Sequence, residues 1–264
     1  HFVREKLTQK GQDSVLVPVK STGDLVLDKP LYELGITGIF TKTLDVALLK
    51  GEIDLAVHSM KDVPTALPLG IVQGAVFQRA NPLDLLVHKG LDFLNAEGIV
   101  ATGSLRRKAQ WLHRYPLHEI VDLRGNVNTR MQKLEENPWN AAIFAAAGLE
   151  RIGLLPGNYS ELHWMLPAPA QGAVLAVCRE EDTHTRQILS ALNHEQSDRC
   201  TSLEREFLRE LEGGCTAPIG AIAQVQGSSV RFRGGVFSLD GSQTALIDKE
   251  VSLQDATHLG QQCA

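Results

Sequence analysis

The chain has 264 residues, 43% of them hydrophobic, a net charge of −5 and four cysteines. That is enough for two or three globular domains of about 100 residues each. It holds no apolar run of about 18 residues for a membrane span, and its acidic balance argues against a nucleic-acid-binding protein. From the N-terminus, residues 15–19 form a short β-branched run, and Thr41 to Leu49 has helical periodicity. Ile53 to Val57 and Ile71 to Phe77 read as buried strands. The alternation then repeats, with strands at Ile99 to Thr102, Ile120 to Leu123 and Ala141 to Ala145 and helices at Ser104 to Arg114 and Asn126 to Glu136. Such alternation predicts α/β architecture with parallel sheets.

Two polar, proline-bearing stretches, Arg79 to Asp84 and Pro167 to Gly172, read as hinges crossed in opposite directions. The chain returns to its first lobe along Ala173 to Cys178. The predicted domains are 1–78 with 171–192, 79–170, and 193–264. The last changes character, with a helix from Glu195 to Leu211 followed by strands Ile219 to Gln226, Val230 to Phe237 and Ala245 to Val251. Gly227-Ser228 and Asp240-Gly241-Ser242 supply the turns of a small antiparallel α+β unit.

Chemistry concentrates in three places. Cys215 follows Gly213-Gly214, a pair suited to ending the preceding helix, so its thiol is expected on a loop. Lone cysteines are usually small buried hydrophobes, and Cys178, Cys200 and Cys263 are read that way. No spacing completes a metal site. Ser104 would cap a helix opening into Leu105-Arg106-Arg107. Arg124, Asn126 and Arg130 repeat that design at the next strand-to-helix junction. One such arginine is ordinarily a solvated surface residue. Four at equivalent strand ends suggest a polycarboxylate ligand, because guanidinium grips carboxylates in bidentate fashion and ligands in open α/β sheets sit at strand carboxyl ends. Lys61-Asp62 also lies beyond a strand end, where the bland reading is a solvated turn before Pro64.

Seven motifs in order carry a family resemblance: Ser21-Thr22-Gly23-Asp24, Val57 to Pro64, Ser104 to Arg107, Leu123 to Val127, Ala145 to Leu149, Gln171 to Val174 and Leu211 to Cys215. Together they resemble the porphobilinogen deaminase, or hydroxymethylbilane synthase, family along the whole chain. The resemblance implies two lobes like those of periplasmic binding proteins and a third domain bearing the cofactor. It implies a transferase that condenses four porphobilinogen molecules head to tail, with loss of ammonia, on a dipyrromethane primer joined to Cys215 by a thioether. Asp62 is then the catalytic residue, through proton handling and cation stabilisation. Ser59, Lys61, Thr102, Ser104, Arg106, Arg107, Arg124, Asn126 and Arg130 would hold carboxylates and orient rings. A cytoplasmic monomer, with neither nucleic acid nor membrane as partner, is the matching expectation.

Several positions depart from the family pattern. Glu33 and Thr37 stand where lysines are common, Gly103 replaces a frequent serine and Asn140 a frequent aspartate. A strand with an Arg-x-Ser loop is expected ahead of His1, and a helix and strand after Ala264, so the sequence is expected to be trimmed. The reading from another class is a non-catalytic two-lobe binding protein for an anionic solute, which would need neither Cys215 nor Asp62.

Overall fold

A computed structural model of the chain describes residues 1–19, 41–212 and 217–264. Cys215, Glu33, Thr37 and the Ser21 to Asp24 motif lie outside the described residues, as do the glycines expected to end the long helix. Residues 12–19 form no strand, and Val15, Leu16 and Val17 are exposed. β-Branched composition alone does not make a strand without a neighbour to pair with.

The first sheet has the order β1 (Leu55–Ser59), β8 (Val174–Arg179), β2 (Ile71–Val76). Helices α1 (Phe2–Gln9), α2 (Lys42–Leu49) and α6 (Thr183–Ser190) accompany it. The central strand β8 is apolar from Val174 to Cys178 because both its faces are covered. Leu175 and Val177 join Leu48, Ile53, Met60 and Val63 on one side. Ala176 and Cys178 join Val3, Leu7 and Leu189 on the other.

The second sheet has the order β5 (Glu119–Val121), β4 (Ile99–Ala101), β6 (Ala141–Ala145), β3 (Asp84–His88), β7 (Tyr159–Glu161). Helices α3 (Leu105–Arg114), α4 (Val127–Glu136) and α5 (Ala146–Arg151) follow β4, β5 and β6 respectively. Ser104 caps α3 by accepting from the Arg107 N–H, and Asn126 caps α4 by accepting from the Thr129 N–H. These helix starts therefore gather at one end of the sheet. Gly103 sits in that turn for a steric reason, since a Cβ there would lie 2.7 Å from the Leu123 carbonyl oxygen.

The expectation of parallel sheets needs a correction. β4 runs parallel to β5 and β6, but β3 is antiparallel to β6 and β7, and β8 is antiparallel to both β1 and β2. Periodicity reports strands and not their direction, which the connections set. β3 and β8 are the strands entered directly after the two crossings between sheets. The crossing segments touch: the Ala80 N–H donates to the Gly172 carbonyl at 3.2 Å. Gly172 has φ +87°, and a Cβ there would meet the Ala80 oxygen at 2.7 Å.

The third sheet is antiparallel, in the order β11 (Thr244–Ser252), β10 (Ser229–Phe237), β9 (Ile219–Gln226), as the sequence predicts. Helix α7 (Glu195–Glu210) packs Cys200, Leu203, Phe207 and Leu208 against it, with α8 (Leu259–Cys263) alongside. Glu204 interrupts that apolar stripe and is fully buried. Its carboxylate accepts from Arg79 Nη1 and Nη2 at 2.6 and 3.0 Å, from the Ala170 N–H at 2.6 Å and from the Ala223 N–H at 2.8 Å. One buried charge, fully hydrogen-bonded as burial requires, thus ties both crossings to β9. Among the described residues, no helix is long and apolar enough to cross a membrane.

Candidate active site

A single 3-10 turn, Met60–Asp62, follows β1. Met60 and Val63 are buried in the core of the first sheet, which pins the turn at both ends. The Met60 N–H donates to the Ala173 carbonyl at 3.0 Å. Lys61 and Asp62 are left half-buried. Ser59 closes β1 on its exposed side. Lys61 Nζ donates to Gln171 Oε1 at 3.3 Å, and Gln171 Nε2 donates to Asp84 Oδ1 at 2.9 Å and the Pro82 carbonyl at 2.8 Å.

Asp84 is the residue that sequence reading missed. It is 0% exposed and stands between two arginines. Arg106 Nη1 donates to Asp84 Oδ2 at 2.8 Å. Arg107 donates to Oδ1 through Nε at 3.0 Å and Nη2 at 2.7 Å. Further bonds of the pair also run inward, from Arg106 to the Leu166 carbonyl and from Arg107 to the Ile143 carbonyl. Burial works to raise the Asp84 carboxyl. The charges of Arg106 and Arg107, with hydrogen bonds from Arg106 and Gln171, outweigh it and hold the group well below the usual carboxylate range. The four arginines are therefore not equivalent. Arg106 and Arg107, 4% and 6% exposed, are built into an internal network. The signal in the sequence was a lone aspartate opening the apolar run Asp84-Leu85-Leu86-Val87, which demands a buried cation.

Arg124 and Arg130 differ. Both are half-buried. Arg124 Nε is buried and has no hydrogen-bond partner among the described residues. Arg130 Nε donates to the Gly125 carbonyl at 2.6 Å. Its pKa is lowered to about 10, by burial first and then by the like charges of Arg107 and Arg124, against the attraction of Asp62 and Asp122. Asn126 is exposed and engaged as the α4 cap, its Oδ1 accepting from the Thr129 N–H at 2.9 Å. Thr102 is buried and its Oγ1 accepts from the Ser104 N–H at 3.3 Å. Ser104 likewise serves α3 as its cap.

Asp62 completes the arrangement. Burial raises its carboxyl above the ordinary range, while Lys61, Arg130 and Arg107 pull it back. Lys61 is lowered by burial and by Arg107 and Arg106, against Asp62 and Asp84. So the structure brings Lys61, Asp62, Arg106, Arg107, Arg124 and Arg130 into one electrostatic neighbourhood between the first two sheets. Helix α7, which leads toward Cys215, is bonded to the same turn: Arg205 and Arg209 donate to carbonyls of the Met60 to Thr65 segment. A cluster of cations with an unsatisfied buried guanidinium nitrogen matches a ligand rich in carboxylates. The residues present therefore fit a dipyrromethane bearing acid side chains.

Comparisons with known proteins agree. Residues 1–187 match the family model described as porphobilinogen deaminase, dipyromethane cofactor binding domain. Residues 199–264 match that of the porphobilinogen deaminase C-terminal domain. A porphobilinogen deaminase of Chloroherpeton thalassium (strain ATCC 35110 / GB-78) is 40% identical over 263 residues, spanning 97% of this chain and 83% of that protein. Among solved structures, an ancestral cationic amino acid solute binding protein gives a TM-score of 0.44 at 14% identity, covering 72% of this chain and 76% of that one. The VFT2 domain of Bordetella pertussis BvgS, as a double mutant, gives 0.42 at 15% identity, covering 77% and 80%. The two family models between them span almost the whole sequence, and the chain belongs to the porphobilinogen deaminase family.

Proposed function

We propose that the crevice around Asp62 is where this chain condenses four porphobilinogen molecules head to tail, with loss of ammonia, and from which it releases hydroxymethylbilane for tetrapyrrole synthesis. The observation that carries the reading is a carboxylate recessed among cations: Asp62 faces Lys61, Arg107 and Arg130, with Arg124 beside them. Each porphobilinogen brings two carboxylates, so the cations have anions to hold. Asp62 has what the reaction asks of it, an anionic oxygen whose raised affinity for protons suits proton transfer and the shielding of a substrate cation. When bound through a thioether to Cys215, the dipyrromethane supplies the nucleophilic pyrrole carbon at which growth begins.

The chain's own residues then divide the work. Arg124 and Arg130 hold substrate carboxylates at the α4 start. Arg107 and Arg106, locked by Asp84, present fixed positive charge with little reorganisation. Lys61, held by Gln171, keeps Asp62 ionised against the pull of burial. Ser59, Thr102, Ser104 and Asn126 complete the proposed binding set from the strand ends. The division into 1–78 with 171–192, 79–170, and 193–264 belongs to the same reading. It draws support from three sheets with separate apolar clusters and from the paired crossings. So does a cytoplasmic monomer, for which Cys178, Cys200 and Cys263 are unpaired thiols suited to a reducing compartment.

The test is direct. The purified chain, carrying its covalent adduct as seen by intact mass, should release ammonia from porphobilinogen and form a linear tetrapyrrole. Binding of porphobilinogen without ammonia release would instead favour a solute-binding protein.

A further inference from the structure

We infer that Arg205 is a positioning residue for catalysis, fixing the turn that carries Lys61 and Asp62 from helix α7. The inference rests on the proposed role of Asp62. Arg205 is buried. Its Nη1 donates to the Val63 carbonyl at 2.8 Å and the Met60 carbonyl at 3.3 Å, and its Nη2 to the Pro64 carbonyl at 2.6 Å. One turn further along α7, Arg209 Nη2 donates to the Thr65 carbonyl at 2.8 Å. The carbonyls of Met60 and Val63 bracket Lys61 and Asp62, so one planar guanidinium grips the backbone on both sides of these two residues.

The geometry argues for more than adhesion. Arg205 donates to backbone carbonyls at the start of the turn and just beyond its end. The Met60 carbonyl accepts from the Val63 N–H at 3.2 Å as well as from Arg205, and the Val63 and Pro64 carbonyls, just past the turn, accept from the same guanidinium. Arg205 supplies several donors from a rigid fork, which lysine cannot do. It thereby fixes the backbone angles that aim Asp62. Misplacing a catalytic group by about 1 Å can cost on the order of 100-fold in rate. Helix α7 also runs on in sequence toward Cys215.

The experiment compares wild-type, Arg205→Lys and Arg205→Gln holoenzymes, each shown by intact mass to carry the adduct. If Arg205 positions Asp62, kcat falls roughly 10- to 100-fold in Arg205→Gln, KM for porphobilinogen stays within about twofold, and Arg205→Lys recovers part of the loss. The acid limb of kcat moves to lower pH in Arg205→Gln, because a loosened turn hydrates Asp62 while Lys61, Arg107 and Arg130 still face it. A merely structural arginine would lower the folded fraction and leave kcat per folded, loaded molecule and the acid limb unchanged; that result overturns the inference. So does a kcat within about twofold of wild type in a folded Arg205→Gln. Should Arg205→Gln not fold, Arg205→Lys alone decides, by its kcat and acid limb. An inactive wild-type holoenzyme would refute the proposed function and not the role of Arg205 within it.

Discussion

Arg107 binds Asp84 through two nitrogens, at 3.0 and 2.7 Å, and the same guanidinium acts on the Asp62 carboxylate across the crevice. The scaffold carboxylate and the proposed catalytic carboxylate thus share one cation. Asp84 belongs to the second sheet and Asp62 follows a strand of the first. The position of Arg107 therefore helps determine how the first two sheets face each other at the proposed site.

Replacing Asp84 by asparagine should destabilise the protein severely. It leaves two buried guanidiniums without their counter-charge, a loss of about 3–5 kcal/mol for a broken buried pair. That corresponds to a melting point lower by on the order of 10 °C. The pH dependence has a definite sign. The folded-state pKa of Asp84 lies below its unfolded value, so its contribution is full above about pH 4 and is lost as pH falls through the folded value. Melting curves from pH 3 to 7 should show a gap between variant and wild type that is constant at neutral pH and narrows in acid. A gap that widens in acid would contradict this assignment.

Replacing Cys215 by serine should abolish the mass adduct and the activity together. The cysteine lies between a helix end and a strand start, outside both apolar runs, so circular dichroism and melting of the apoprotein chain should remain those of a folded α/β protein. An adduct that persists, or one mapped to Cys178, Cys200 or Cys263, would place the anchor elsewhere.

Much of this architecture is legible from local pattern. Ser104 and Asn126 announce their helices because a capping side chain acts within three residues. The hairpins of the third sheet follow from turn residues. What escapes is whatever depends on distant partners. Asp84 looks like part of a polar hinge until Arg106, Arg107 and Gln171 arrive from positions 22 to 87 residues away. Glu204 occupies the apolar stripe of α7, an anomaly the sequence does contain, but its partner Arg79 lies 125 residues earlier. Strand direction escapes for the same reason: it is a property of the crossings and not of any strand. The arginine cluster is legible as a group. Its division into a pair locked on Asp84 and a half-buried pair at the start of α4 is visible only once Asp84 is in place.

Replacing Asp62 by asparagine should cut kcat by roughly 100- to 10,000-fold, the usual range for a group that transfers protons, with the adduct still attached. Wild-type kcat should fall on the acid side with an apparent pKa above the ordinary carboxylate range, since burial raises Asp62, and that limb should vanish in the variant. Stability should respond oppositely to activity. A raised folded-state pKa means that ionised Asp62 works against the fold above its unfolded pKa, so at neutral pH the asparagine variant should melt no lower than wild type. A variant within about threefold of wild-type turnover is incompatible with the role.

Arg124 offers the cleanest separation of binding from structure. Its Nε is buried without a hydrogen-bond partner among the described residues, and its charge helps push Arg130 down to about 10. In the protein without ligand, Arg124 is therefore a source of repulsion. Exchanging Arg124 for glutamine should relieve that repulsion and leave the melting point unchanged or higher. In the presence of a polycarboxylate the balance reverses, because one charge-assisted hydrogen bond to a carboxylate contributes about 1.5–3 kcal/mol. Apparent affinity for porphobilinogen or for a growing chain should fall roughly 10- to 100-fold. Chains of intermediate length should accumulate if later rings depend on Arg124 more than earlier ones do. Steady-state KM, intact-mass analysis of stalled adducts and a melting curve read these effects separately. An Arg124→Gln protein that melts lower but binds and elongates normally would show Arg124 to be scaffold, and the carboxylate grip would then have to lie with Arg130 and its neighbours.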